Sequence, residues 1–385
     1  MQLSSPQAPT RKDLYRGFLR RFNPAADPEA SVKADLIEGA LTSDRTRRMV
    51  PRLLLRPGSQ HLLIGGIGSG KSTQLKLLQE SIQATEPATL ALLVDVSKFA
   101  DLRTSQPGAI ILAVVLAANQ QDALPANAAQ ALISTFRNAG HIACGHNSWA
   151  EPPWPGENDP SDEERAGFKR VKVLGLITPP AQAISGALEQ IAQLLQELRS
   201  ALERSGQELV LMLDGMDRLL DQQAFWQFVD QDFAVIRKLG ISLVATAPLS
   251  LLYAQGRTVL DHFDSFESVP AIETDGPGLA LLLQVLKRRN VEELIHPALH
   301  STLAKASGGI LRDLISLVQA AAQNAYLEDS DAVTDANVDD AIRQLGNSYL
   351  LGLGSKQRNQ LQNINQWRSF SPTSKDDLDL LISRR

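Results

Sequence analysis

Gly65-Gly66-Ile67-Gly68-Ser69-Gly70-Lys71-Ser72 fulfils the pattern G-x-x-x-x-G-K-[ST] at every position, and its flanks narrow the fold further. His61–Ile64 before it is a short apolar run and Lys71–Ile82 after it is periodic, so the motif marks a buried strand turning into a helix. Glycines at these spacings let successive backbone N–H groups face one anion, and the positive end of the following helix points at the same place. In such a cradle Lys71 neutralises the outer phosphates of a nucleotide and Ser72 supplies a hydroxyl to Mg²⁺. The binding set is Gly65, Gly66, Ile67, Gly68, Ser69, Gly70, Lys71, Ser72 and Thr73.

A metal-bearing phosphate site also needs a carboxylate at the end of a neighbouring strand. Leu209–Leu213 is apolar throughout and is followed by Asp214, which with Ser72 makes the expected metal pair. Many P-loop ATPases place a glutamate directly after this aspartate to polarise the attacking water, but here the next residue is Gly215. Asp217 is the nearest acid downstream, and it either reaches that water or pairs with Arg218. The absence of the adjacent acid points to slow hydrolysis. A further strand, Ile241–Ala245, ends in Thr246, which by pattern alone is equally an ordinary strand-end threonine.

Thr89–Val96 completes a set of four strand candidates, nearly continuous in apolar residues as strands covered on both faces must be. Helical periodicity is read at Arg11–Phe22, 108–118, 126–139, 181–204 and 218–239, then at 279–289, 296–306, 310–326 and 335–350. Strands alternating with helices, followed by helices alone, predict an α/β fold. It is a P-loop domain with a mainly parallel sheet flanked by helices, then an all-helical lid. The expected divisions are a basic N-terminal arm 1–52, a P-loop domain 53–276, a lid 277–351 and a polar C-terminal tail 352–385. Lys71 and Asp214 stand 143 positions apart, so an insertion is expected at about 97–180.

The order of these motifs resembles AAA+ and STAND-type ATPases. Ser307-Gly308-Gly309-Ile310-Leu311-Arg312-Asp313-Leu314 resembles the sensor 2 segment of the AAA+ lid in the origin-recognition-like and transposition-regulator clades. Leu213–Arg218 is similar to the corresponding phrase of STAND and KAP-type NTPases. The resemblance spans roughly 52–350. It implies that Arg312 contacts bound nucleotide and that Thr246 sits near the γ-phosphate. It also implies an arginine finger between the fourth strand and the lid, where Arg257 is best placed and Arg237 is the alternative; a solvated loop arginine is the other reading of Arg257. The catalytic set is therefore Lys71, Asp214, Asp217, Thr246 and Arg257, with ATP and Mg²⁺ as cofactors.

The remaining signals are weaker. His141, Cys144 and His146 have spacing that permits metal ligation but lack a fourth ligand, and Trp149 and Trp154 are read as loop anchors or partner contacts. Residues 1–52 carry ten Lys/Arg against six Asp/Glu, and Arg45–Arg48 with Arg52 is either a phosphate-contacting cluster or a solvated face. The whole chain is at −5, which argues against a dedicated nucleic-acid coat. One cysteine excludes an internal disulfide framework. Ala109–Ala118, the longest apolar run, is about half the ~20 residues that cross a bilayer, and Met1–Thr10 is no apolar leader, so a cytoplasmic chain without membrane contact is expected. Two functions follow. One is an ATP-dependent homo-oligomeric switch controlling a protein effector encoded nearby; the other is a DNA-binding loader or adaptor. A small-molecule kinase would have a short arginine-rich lid, unlike the long helical stretch Gly278–Leu351. No guanine-reading N-K-x-D occurs, which favours ATP.

Overall fold

The computed structural model describes residues 10–24, 44–102, 105–120, 124–144, 187–219, 222–253 and 256–367, with Ser374 and Asp377. The chain divides into two compact units. One comprises 44–64 and 74–268 and holds the sheet; the other comprises 1–43, 65–73 and 269–385.

Among the described residues five strands form the sheet: β1 (Gln60–Ile64), β2 (Thr89–Asp95), β3 (Glu208–Asp214), β4 (Ser242–Ala247) and β5 (Ser265–Ser268). Their order is β2-β3-β4-β1-β5 and every pairing is parallel. All five residues of β1 and all six of β4 are buried, so both faces of these central strands are covered. That is why Leu62–Ile64 and Leu243–Ala245 show no alternation, while the buried polar Gln60, His61, Ser242 and Thr246 are each hydrogen-bonded. β5 was not expected. It is an edge strand with one neighbour, its four residues are only partly covered, and Ser-Phe-Glu-Ser carries no apolar run.

Helices pack on the sheet, with Ala109–Gln120 against β2, Leu188–Arg204 against β3, and Asp44–Leu55 and Ala234–Lys238 against β4. Ala109–Ala118 is buried at every position, so this helix has no solvent face. Each of its large aliphatic side chains contributes about 1.5–3 kcal/mol by leaving water. Leu188–Arg204 buries a stripe of Ile191, Leu194, Leu195, Leu198 and Leu202, with Leu188 half-buried. Its expected beginning, from 181, lies outside the described residues.

Two expected helices are broken. Leu132 divides Ala126–Ala131 from Ile133–Cys144. The stretch read as 218–239 is a 3₁₀ turn (Met216–Arg218), a helix (Gln222–Phe228), a π-helical turn (Val229–Phe233) and a last helical turn (Ala234–Lys238). The π turn has a visible cause. It carries Asp232, whose carboxylate accepts the N–H groups of Gly108 at 2.8 Å and Ile111 at 3.3 Å and so caps the buried apolar helix from elsewhere in the chain. Burial pushes the Asp232 carboxyl up to about 7.

The second unit is helical: Gly276–Arg289, Pro297–Ala306, Leu311–Leu327 and Asp335–Leu350, close to the expected ranges. The helix Arg11–Arg21 joins them, burying Tyr15 and Phe18, with Phe22 just beyond, in the same core as Leu282, Leu303 and Leu314. Arg11 lies between the rings of Tyr15 and Tyr326 and donates to the carbonyls of Ala325, Tyr326 and Ser330. Arg21 pairs with Glu292. The first helix of the expected arm 1–52 thus shares a core with the C-terminal helices through its aromatic face, while Asp44–Leu55 packs on β4, where the Leu53 carbonyl accepts the Ser242 hydroxyl at 3.0 Å. Ser355–Trp367 forms a helix with no buried residue. Among the described residues no helix is long and apolar enough to cross a membrane.

Candidate nucleotide site

β1 delivers the chain into the glycine loop, and the helix Lys71–Thr85 leaves it. Lys71 is 4% exposed, and its ammonium donates to the carbonyls of Gly65 at 2.9 Å and Gly66 at 2.7 Å. A cation fixed against two carbonyls at a helix N-terminus is the arrangement an anion would meet. Ser69 N–H donates to Gly66 O at 3.2 Å and tightens the turn. Ser69 Oγ is buried and has no hydrogen-bond partner among the described residues, an orphan that a phosphate oxygen would satisfy. Ile67, Ser72 and Thr73 are half-buried at the mouth. These residues fit a phosphate-bearing nucleotide.

The segment Ser307–Arg312 meets this loop. Ser307 Oγ donates to Ala304 O at 2.7 Å and accepts Gly309 N–H at 3.1 Å, closing the preceding helix. Gly309 O accepts the Ile272 N–H at 3.0 Å. The chain then enters the helix Leu311–Leu327, and the Arg312 N–H reaches Gly68 O at 3.4 Å. Gly68 has φ +85°, and a Cβ there would stand 2.9 Å from Arg312 Cβ and 3.0 Å from Ile310 Cγ2. Glycine is required twice over, by the left-handed backbone and by the close approach of the second segment. The arginine expected to contact nucleotide thus starts a helix seated on the loop's own backbone.

The acidic group lies in the sheet unit. Asp95 and Asp214 are register partners at the carboxyl ends of β2 and β3. Asp214 is half-buried, and its Oδ1 accepts the Gly215 N–H at 2.8 Å. Gly215 has φ +83°, and a Cβ on it would sit 2.9 Å from Asp95 Oδ1. This explains why no acid follows Asp214: the backbone is left-handed and the side-chain space is already filled. Asp95 Oδ1 accepts the N–H of Ser97 at 3.1 Å and its hydroxyl at 2.6 Å, and Ser97 Oγ accepts from Arg218 Nη1 at 3.1 Å. Asp217 is half-buried in the turn Met216–Arg218. Thr246 is fully buried, and its hydroxyl accepts the Met216 N–H at 3.1 Å.

Other expected residues fall elsewhere. Arg257 lies in the helix Gly256–Leu260, and its side chain is outside the described residues. Arg237 is not placed as a finger. It donates to His262 O at 2.6 Å and Gln60 Oε1 at 3.2 Å, at the amino ends of β1 and β5, the opposite edge of the sheet from Asp214. Arg52 is engaged by Glu267 and Ser265, each at 3.1 Å, rather than held for phosphate, while Arg48 is exposed. Arg45 and Arg47 share the helix Asp44–Leu55 with their side chains outside the described residues. His141 and Cys144 share the helix Ile133–Cys144, whereas His146, Trp149 and Trp154 lie outside the described residues. Among the described residues no cluster of three His, Cys, Asp or Glu could hold a metal. Asp95 was missed in the sequence, although its signal, an acid ending an apolar strand, is the one that identified Asp214.

No family model matches the chain, and no curated protein matches it either. Solved structures similar to it include the Aeropyrum pernix ORC2 protein in its ADP form, at 13% identity and TM-score 0.47, covering 94% of this chain and 88% of that one. Drosophila ORC bound to DNA is similar at 10% identity and TM-score 0.48, covering 100% and 81%. The Thermotoga maritima RuvB Holliday junction branch migration motor is similar at 12% identity and TM-score 0.41, covering 89% and 82%.

Proposed function

We propose that this chain is an ATP-binding, slowly hydrolysing ATPase of the AAA+/STAND type, working as a nucleotide-dependent switch. The observation that carries the reading is the seat of Arg312 on Gly68. A triphosphate held by Gly65–Thr73 would lie beside the first turn of the helix Leu311–Leu327, so nucleotide state and helix position become one equilibrium. In this reading Lys71 and Arg312 bind phosphate, Ser72 holds Mg²⁺, and Asp214 orients the metal's water shell. Bound Mg²⁺ supplies charge neutralisation at the transferring phosphate. Thr246 acts on the turn after Asp214 through Met216. The output would be self-assembly and control of a protein effector.

The test is titration of Mg-ATP into the purified chain, with Lys71→Ala and Arg312→Ala beside it, followed by light scattering with and without ATP. Loss of affinity of at least ~10-fold in both variants, together with ATP-dependent assembly, is expected. Unchanged affinity in Lys71→Ala would sink the reading. Turnover measured with duplex DNA separates the loader alternative, which requires stimulation that weakens with salt. Arg11 and Arg21, two of the basic arm's arginines, are engaged within the helical unit, which favours the switch.

A further inference from the structure

The side chain next to Arg312 is answered from a different helix. Asp313 is buried in the first turn of Leu311–Leu327 and accepts the hydroxyl of Tyr349, which stands in the last turn of Asp335–Leu350. At the other end of the same two helices Asn337, wholly buried, donates from Nδ2 to Glu328 Oε2 at 2.8 Å. The helices are therefore antiparallel and joined by side chains at both ends. Arg312 itself is held along the backbone, its N–H on Gly68 O at 3.4 Å and its carbonyl accepting the Ser316 hydroxyl at 2.8 Å. A buried carboxylate is costly to leave short of donors, so the Tyr349 hydroxyl fixes this first turn against the neighbouring helix.

From this geometry we infer that Tyr349 is a positioning residue for the nucleotide, setting through Asp313 where Arg312 meets a phosphate held by Gly65–Thr73. The inference rests on the ATP-binding reading above. The glycine loop, Arg312, Asp313 and Tyr349 all belong to one compact unit. A guanidinium binds phosphate through parallel N–H bonds, whose alignment depends on where its helix places it. Without the hydroxyl the first turn is no longer referenced to Asp335–Leu350, and Arg312 meets the phosphate in a spread of positions. By linkage, bound phosphate steadies the Tyr349 contact as much as that contact favours phosphate.

The competing role for this contact is stability alone, and a double-mutant cycle separates the two. Tyr349→Phe keeps the ring and deletes only the hydroxyl. Mg-ATP affinity would be measured by calorimetry for the wild type, Tyr349→Phe, Arg312→Ala and the double variant, well below their melting temperatures. The inference expects Tyr349→Phe to weaken Mg-ATP about five- to tenfold, but by less than about twofold once Arg312 is alanine. Asp313→Asn, whose amide oxygen still accepts the hydroxyl, should keep its affinity within about threefold of the wild type. Wild-type affinity in Tyr349→Phe, or an equal loss with and without the Arg312 side chain, would leave the hydroxyl a stabilising role only and overturn the inference. A wild type that does not bind Mg-ATP would overturn the ATP-binding reading and the inference with it, a separate failure visible before any variant is made.

Discussion

Thr246 Oγ accepts the backbone N–H of Met216, tying the penultimate residue of β4 to the turn that follows Asp214. Removing the hydroxyl strands a buried N–H. Thr246→Val is expected to lower stability by about 1–3 kcal/mol, while Thr246→Ser keeps the acceptor and loses less. Urea unfolding of the two variants checks this. Equal loss in both would show that the methyl rather than the hydroxyl matters.

Gly215→Glu looks like a repair of the usual acid pair, and it should fail. With φ at +83° and Asp95 Oδ1 2.9 Å from the Cβ position, a glutamate strains the backbone and sets a second negative charge against the first. A stability loss of roughly 1–3 kcal/mol and lower ATP turnover than wild type are expected. Faster turnover would contradict the geometry.

Gly68→Ala probes the seat of Arg312. The added methyl meets Arg312 Cβ and Ile310 Cγ2 on a left-handed residue, at a conformational cost of about 1–2 kcal/mol before any clash. ATP affinity, read by calorimetry, is expected to fall about tenfold or more while the sheet unit keeps its urea midpoint.

Two buried groups set opposing pH dependences. His61 is 2% exposed and burial lowers its pKa from 6.5 to about 4, so the fold needs the neutral ring. The stability this ring contributes is present above pH 6.5 and is lost as pH falls toward 4, by roughly 3 kcal/mol at about 1.4 kcal/mol per pKa unit. Asp232 runs the other way. Its carboxyl keeps a proton in the folded state up to about 7, so its contribution is present below 3.8 and declines as pH rises to about 7. His61→Gln should flatten the acid limb of a plot of urea midpoint against pH, and Asp232→Asn the rise of destabilisation toward neutrality. A His61→Gln plot that tracks the wild type would refute the first assignment.

Arg11 is a structural arginine. Its guanidinium stacks on Tyr326 and binds the last carbonyls of the helix Leu311–Leu327. Arg11→Ala should destabilise the protein by about 1–3 kcal/mol and leave duplex DNA affinity unchanged across a salt series. A fall in salt-dependent affinity would return this arm to nucleic acid.

The sequence displays what burial writes into composition and little of what register and long-range contact decide. β1 to β4 are legible because strands covered on both faces carry runs of apolar residues, and β5 is not, because an edge strand is free of that demand. Lys71 and Asp214 stand out as candidates because local spacing alone singles them out. Asp95 gains its meaning only from pairing with β3, whose partner residue is far along the chain. The break at Val229–Phe233 is invisible to periodicity because Asp232 answers to the distant amides of Gly108 and Ile111. Arg11 and Arg21 count as surplus charge in the sequence, whereas the fold gives them carbonyls and a carboxylate.

The strand order also sets a timetable. Among the described strands β1 is made first, yet its neighbours on both sides, β4 and β5, begin only at Ser242 and Ser265. At ~5–20 residues per second of synthesis, a strand that ends up wholly buried waits roughly 10–40 s before either partner exists. The strand that carries the glycine loop is therefore made early and locked late. During that wait Gln60–Ile64 has neither of the strands that cover it in the fold.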